Sequence, residues 1–477
     1  MRLIALRFAA IAFAAALIFS GVAGCYKETV QRTDADVIAS YLDIPDITDD
    51  EIAAVASIRA SGKPLVYASS RSTELFQRQD GTLGGYTVLL CDWLSEFFDL
   101  PFQPAIQGLV AMIENLNSGE ICFATLSATP ERREAFFMAD IAQRSIIMLR
   151  IEGSQPLAEI KQDRLPRYAF TEGSVMTDLA RAALEPGSYE SVIVADEDGA
   201  YVALINGEAD AFIATNTMEA AFDHYGGSYS EYSVFAEDFL PLIFLPAAMT
   251  AAAPVYEPVI SLVARALESG ALEHLTGLYR EGYQDYRKHR FLMLLSEDEL
   301  DYLQDGPEVP FVTMHMAYPN SFYNTNNGQW EGIVFDVMDE IAQLSGITFV
   351  LIHDNIVELP ELLRLVESGA AHFMPSMIVT NERREDFIFP STLYLPDQYV
   401  LISKLSYPNI DLNDIPSQRV GVPRRSAFSD VFRRWFPDAL YISEYPTTDD
   451  AFAALDSGEV ELVMSSLSRL AALTNYY

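Results

Sequence analysis

Basic residues are scarce in this chain. Its 31 lysines and arginines face 68 aspartates and glutamates, for a formal net charge of −37. Such a surface repels nucleic acid and anionic lipid headgroups, so no nucleic-acid partner is expected. Histidine and cysteine are scarcer still, at six and three, with no joint spacing that would hold zinc. Gly-x-Ser-x-Gly, a phosphate-binding glycine loop and a metal-binding run are all missing. Met314-His315-Met316 reads as strand alternation, and paired carboxylates fall on loops and helix ends where solvation accounts for them. The chain itself is therefore expected to be no enzyme and to carry no cofactor or metal. Beyond residue 25 no apolar run is long enough to span a bilayer. Cys91 and Cys122 sit in apolar contexts and read as reduced core residues.

Hydrophobic residues are plentiful, at 50%, which supports packed domains, and 477 residues exceed one ordinary core. The first 25 residues stand apart. Arg2 and Arg7 precede an apolar stretch from Phe8 to Ala23, and Val22-Ala23-Gly24-Cys25 follows. These are the parts of an export signal, and a cysteine after small residues resembles the lipobox of bacterial lipoproteins. The expectation is an extracytoplasmic protein held to the membrane through its N-terminus, with Cys25 as the lipidation point; a plain signal or uncleaved anchor is the alternative.

One plan occurs twice. Gly81-x-x-x-Gly85 and Gly328-x-x-x-Gly332 each precede a helical pattern, Val88, Leu89, Trp93, Leu94, Phe97 in one copy and Val334, Val337, Met338, Ile341 in the other. Thr129-Pro130-Glu131-Arg132-Arg133-Glu134 matches Thr380-Asn381-Glu382-Arg383-Arg384-Glu385, again about 250 residues on. A smaller signature recurs at Ser118-Gly119-Glu120, Asn206-Gly207-Glu208, Ser368-Gly369-Ala370 and Ser457-Gly458-Glu459, each a helix end leading into a short apolar strand. Two helix-Gly-strand units per copy imply two α/β lobes. Thr48 and Ser296 read as starts of short helices, and a polar helix is expected from Tyr279 to Leu300. The expected division is 1–25 signal, 26–59 acidic lead-in, 60–286 first domain, 287–306 linker and 307–477 second domain. The offset sets Tyr477 opposite a point before the last strand and helix of the first copy, so the second domain is expected to be C-terminally incomplete.

The run from Tyr67 to Phe137, a strand, Gly-aromatic turn, helix and Ser/Thr-rich strand end entering Thr-x-Glu-Arg, resembles the family 3 extracytoplasmic solute-binding proteins. The resemblance covers most of residues 60–477. It implies an α/β fold of two tandem periplasmic-binding-protein (type II, Venus-flytrap) domains, each of two α/β lobes, the second truncated. The linker Leu272 to Leu300, the runs Glu331 to Val337 and Arg433 to Pro437, and the end Leu473 to Tyr477 are similar to sensor regions of bacterial hybrid sensor histidine kinases.

In that family an arginine holds the solute carboxylate, a role suited to a planar, permanently charged guanidinium. The resemblance places Arg132 there, with Thr125 and Ser127 as strand-end hydroxyls, Gly173 and Ser174 at a helix N-terminus of the second lobe, and Phe76 as the aromatic wall. The family's ammonium-pairing aspartate is replaced by the neutral Thr215-Asn216, which points toward a carboxylate without a strong ammonium requirement. In the second copy the matching positions are Arg383, Ser376, Arg425, Ser426 and the aromatic Phe322, with Ile378 in place of one hydroxyl.

The function implied is extracytoplasmic binding and sensing of a small amino-acid-like or carboxylate solute for a membrane signalling protein, a histidine kinase by resemblance, whose kinase module is not in this chain. A homodimer is expected by the same analogy. The alternative is a lipoprotein that delivers solute to an ABC importer and its permease. Cys25→Ser, expressed in a bacterium, is expected to leave unprocessed precursor or to release protein from the membrane fraction; unchanged processing and retention would favour a plain anchor.

Overall fold

The computed structural model describes residues 38–222, 234–240, 243–324, 327–353, 357, 359–380, 383–391, 398–424 and 426–470. Cys25 with the rest of the export segment, Arg425 and the run Leu473 to Tyr477 lie outside them. The chain divides between residues 286 and 287 into two compact units.

The first unit begins with α1 (Asp49–Ala60), capped by Thr48, whose hydroxyl accepts the Glu51 N–H while the Glu51 carboxylate returns to the Thr48 N–H. This stretch is no detached lead-in. Tyr41, Ile44, Val55 and Ile58 are buried in the same core as Leu65, Phe98 and Leu262. There follow β1 (Leu65–Ser69), α2 (Tyr86–Phe98), β2 (Phe102–Ile106), α3 (Leu109–Ser118), β3 (Phe123–Ser127), α4 (Pro130–Ala135) and the 15-residue β4 (Phe137–Ile151). Then come β5 (Arg167–Thr171), α5 (Met176–Ala183), β6 (Glu190–Val194), α6 (Glu197–Ile205), β7 (Ala211–Thr215), β8 (Val234–Asp238), β9 (Phe244–Ala251), α7 (Glu257–Ala266) and α8 (Leu272–Met293).

The strands form one sheet in the order β2-β1-β3-β9-β4-β7-β5-β6, with β8 also on β4. β4 carries the sheet from one lobe to the other. Its first part, Phe137 to Ser145, pairs with β9, and from Ile146 onward it pairs with β7, then β8. Lobe 1 is thus β1, β2, β3, β9 and the start of β4; lobe 2 is the rest of β4 with β5 to β8. Cys91 and Cys122 are buried and free, and the Cys122 thiol lies 3.1 Å from the Tyr256 hydroxyl.

The second unit repeats four strands of lobe 2 in the same order. It contains β10 (Glu308–Phe311), α9 (Ile333–Ser345), β11 (Thr348–Leu351), α10 (Leu359–Glu367), α11 (Arg383–Asp386), β12 (Tyr399–Ile402), β13 (Arg419–Pro423), α12 (Ala427–Trp435), β14 (Tyr441–Tyr445), α13 (Thr448–Ser457) and β15 (Leu462–Ser466). The order β12-β15-β13-β14 reproduces β4-β7-β5-β6. β5, β6 and β7 begin at 167, 190 and 211; β13, β14 and β15 begin at 419, 441 and 462. Lobe 1 of this unit is sparser. β10 pairs with β11, and no strand among the described residues stands in for β3 or β9. Around residues 287–306 the structure has two helices rather than one: α8 ends at Met293 and Glu297–Gln304 starts afresh under a Ser296 capping box. Among the described residues no helix is long and apolar enough to cross a membrane.

The repeated glycine pairs have a packing cause. Gly85 and Gly332 take φ of 100° and 125°, and a Cβ there would lie 2.5 Å from the Glu74 and Asn320 carbonyl oxygens. Only glycine lets the preceding loop fold so tightly onto the helix start. The fourfold helix-end signature also acts the same way each time. The third residue past the glycine sends its N–H to the neighbouring parallel strand: Cys122 to Val66 O, Asp210 to Arg167 O, His372 to Pro310 O and Glu461 to Arg419 O, at 2.8–3.0 Å. In both second lobes the side chain joins in. Asp210 accepts the Arg167 N–H at 2.8 Å and two Arg164 N–H groups at 2.6 Å, while Glu461 accepts the Arg419 N–H at 2.9 Å.

Burial pushes the Asp210 carboxyl upward, but the hydrogen bonds from Arg164 and Arg167 outweigh it and hold the group at about 2 against an ordinary 3.8. The folded value lies below the unfolded one, so the stabilisation is present above about pH 4 and is lost as pH falls toward 2. With allowance for solvent screening of the arginines it is worth about 1–2 kcal/mol. Asp210→Asn is expected to lower the unfolding free energy in urea at neutral pH by that amount, with the gap to wild type narrowing below pH 4. A gap constant with pH would show that the ion pairs contribute nothing.

Candidate functional site

The cleft between the lobes of the first unit is built at strand ends. Parallel strands deliver their C-terminal ends to one edge, and β1, β3, β5 and β7 present Ser69, Thr125 with Ser127, Thr171 and Thr215 there. They line a cavity of about 90 Å³, together with Leu109, Met112, Met176 and Met218.

Arg132 enters the cavity from α4. Thr129 caps that helix by accepting the Arg132 N–H at 3.3 Å, which turns the side chain back toward β3. Its Nη1 donates to Ser127 O at 3.1 Å in lobe 1, and its Nη2 donates to Gly173 O at 3.3 Å in lobe 2. No carboxylate pairs with it among the described residues, and burial alone lowers its pKa. The Thr73 N–H adds a second link between the lobes, to Thr217 O at 2.8 Å.

The other expected residues divide. Thr125 and Ser127 line the cavity, and the Thr125 hydroxyl is bonded to the buried Tyr67 hydroxyl at 2.9 Å. Ser174 lines it too, but its hydroxyl accepts the Met176 N–H, and Gly173 offers a carbonyl rather than an N–H. Thr215 faces the cavity with its hydroxyl 3.0 Å from that of Thr217; Asn216 does not line it. Phe76, expected as the aromatic wall, is instead buried against Ala220 and Tyr286, its ring 5.6 Å from the tyrosine's. Side chains arriving from α8 and from the turn after β7 draw it away.

Two charged residues of the cavity lining were not anticipated, Arg144 and Glu197. Arg144 on β4 forms a two-pronged ion pair with Glu74, which is 2% exposed. Nothing local marks the pair, whose members lie 70 residues apart. Glu197, half-buried at the first turn of α6, also faces the cavity. Burial first, then repulsion from Asp196 and Asp198, raises its pKa. In the sequence it is one acid in a run of three.

In the second unit Arg383 copies Arg132. Its N–H goes to Thr380 Oγ1 at 3.3 Å and its Nη1 to Ile378 O at 2.9 Å, so the strand-end carbonyl survives where the hydroxyl is lost. Burial lowers its pKa, but here Asp430 and Tyr399 oppose the shift. Ser376 lies 3.5 Å from the Asn320 amide. Ser426 serves as the cap of α12, accepting the Ser429 N–H and donating to Pro423 O, and the Phe322 ring rests 5.0 Å from Tyr318.

Comparison with known proteins agrees with this architecture. No curated protein matches the sequence. Among solved structures, VC protein aligns at 14% identity over 86% of this chain and 88% of its own, with a TM-score of 0.52, which supports the fold. The periplasmic domain of BvgS from B. pertussis aligns at 18% identity over 91% and 84%, with a TM-score of 0.38. The amino acid ABC transporter substrate-binding protein AbpA from Streptococcus pneumoniae, bound to L-arginine, aligns at 14% identity over 48% and 98%, with a TM-score of 0.40. Residues 311–426 match the family model of bacterial extracellular solute-binding proteins, family 3. That match lies in the second unit, the first unit folds on the same plan, and in this the chain is similar to the family 3 solute-binding proteins.

Proposed function

We propose that the first unit binds a small carboxylate-bearing solute, amino-acid-like in size, with Arg132 as the carboxylate anchor, and that the chain is the extracytoplasmic sensing region of a membrane signalling protein. The observation that carries the binding role is a half-buried guanidinium in the interlobe cavity held only by carbonyl oxygens. A solute carboxylate would give it the opposite charge it lacks, in a geometry the fork suits. Because Arg132 contacts both lobes, binding there favours one lobe arrangement over another, and β4 with β9 forms the hinge. Two such units on one chain suit a sensor better than a shuttle, which needs only one. A downstream kinase would supply the output.

Arg132→Ala is expected to weaken solute binding by about 2–5 kcal/mol, since a buried carboxylate would lose its partner. Arg132→Lys should recover part of this, lacking the fork. Calorimetry with amino acids, their deaminated analogues and dicarboxylates provides the measurement. Equal affinity in wild type and Arg132→Ala would remove the anchor from this reading.

A further inference from the structure

The turn that follows β7 has two sides with different neighbours. It is a 3-10 turn over Asn216–Phe222, and it starts at the hinge, since Thr215 pairs with Ile146 on β4. Thr217 and Met218 line the cavity. Ala220 is buried against Phe76 and Tyr286, and the Asn216 side chain hydrogen-bonds the Tyr279 hydroxyl. The Thr217 carbonyl accepts the Thr73 N–H at 2.8 Å. Thr73 and Phe76 belong to lobe 1, and Tyr279 and Tyr286 lie two turns apart on one face of α8. That face is itself tied to lobe 1. A Cβ at Gly282 would lie 2.3 Å from the Tyr86 nitrogen, and Asp285 accepts the Gly85 N–H at 3.1 Å and an Arg78 N–H at 2.6 Å.

We propose that Asn216 to Ala220 form a latch between the lobes, seated in a socket of lobe 1 made by Thr73, Phe76, Tyr279 and Tyr286, and that its contacts form and release together. This goes beyond solute binding and requires neither Arg132 nor a solute. The socket is fixed on its own side, because the Gly282 contact and Asp285 hold α8 to lobe 1. Rotation of lobe 2 about β4 is therefore taken up at the seat. The contacts are few: one backbone hydrogen bond, one side-chain hydrogen bond and one methyl group between two rings. Each alone is slight. Carried on one short turn, they are kept or lost as a set, which is a local opening and not an unfolding. The other side of the same turn lines the cavity, so a solute touching Thr217 or Met218 acts on the turn that α8 holds. α8 is also the helix by which the chain leaves the unit, after Tyr286. The latch thus makes the position of lobe 2 legible to that helix.

The test is hydrogen–deuterium exchange on the full chain without solute, read at the Thr73 amide, which Thr217 protects from the opposite lobe. Ala220→Asp drives a charge between the Phe76 and Tyr286 rings and is expected to speed Thr73 exchange by about tenfold or more. Asn216→Ala removes the bond to Tyr279 and should speed it roughly three- to tenfold. Amides inside each lobe, Leu90 to Leu94 on α2 and Phe212 with Ile213 on β7, should keep their wild-type rates, which separates release of a latch from loosening of the fold. Wild-type exchange at Thr73 in either variant overturns the proposal, because the contacts would then be independent of one another. So does an equal acceleration at Thr73 and at the amides inside the lobes. Neither result bears on the Arg132 reading, since no solute enters the measurement.

Discussion

The cleft of the first unit depends on how one guanidinium is satisfied. Arg132 is fixed by the local geometry of a capped six-residue helix, which sends its side chain back to the strand end it has just left. A second donor, on Nη2, reaches Gly173 O in the opposite lobe. A cation held by carbonyl dipoles alone keeps its full charge while losing hydration, which is an unfavourable state unless something negative arrives. The hydroxyls of four strand ends and the cavity itself are arranged around that group. Arg144 shows the contrasting solution: a buried arginine closed off by Glu74, whose role is architecture.

The duplication extends to devices smaller than the domain. Thr129 with Arg132 and Thr380 with Arg383 share both hydrogen bonds, although the residue whose carbonyl is used changes from Ser127 to Ile378. A backbone acceptor tolerates that substitution because its chemistry does not depend on the side chain. Asp210 and Glu461 likewise use different acids to tie their strand to the start of the lobe. The units differ around the arginine. Asp430 acts on Arg383, whereas no carboxylate bonds Arg132. The two arginines thus sit in different electrostatic surroundings.

What the sequence revealed was what depends on neighbours along the chain. Capping boxes at Thr48 and Ser296, the glycine pairs and the Thr-x-x-Arg turn are all determined within a few residues, and each formed where the pattern placed it. The strand-end hydroxyls followed from lobe topology. What stayed hidden depends on distant partners. Phe76 turned away from the cleft because Tyr286, more than two hundred positions on, offers it a buried face. Arg144 found Glu74, 70 residues before it in the chain. Glu197 was invisible because Asp196 and Asp198 share its composition, and only the turn of α6 selects which of the three faces inward.

The 15-residue strand β4 gives the first unit a mechanical character. Its backbone pairing passes from β9 to β7 at Ser145 and Ile146, with one register shift between Asp140 and Ala142. Both lobes therefore hang on a shared torsion bar rather than on a loose tether. Rotation of one against the other can be absorbed as a few degrees of extra strand twist, which sheets vary freely. No ladder bond has to break. The join between the lobes is then a continuous strand, stiff along its length and compliant in twist.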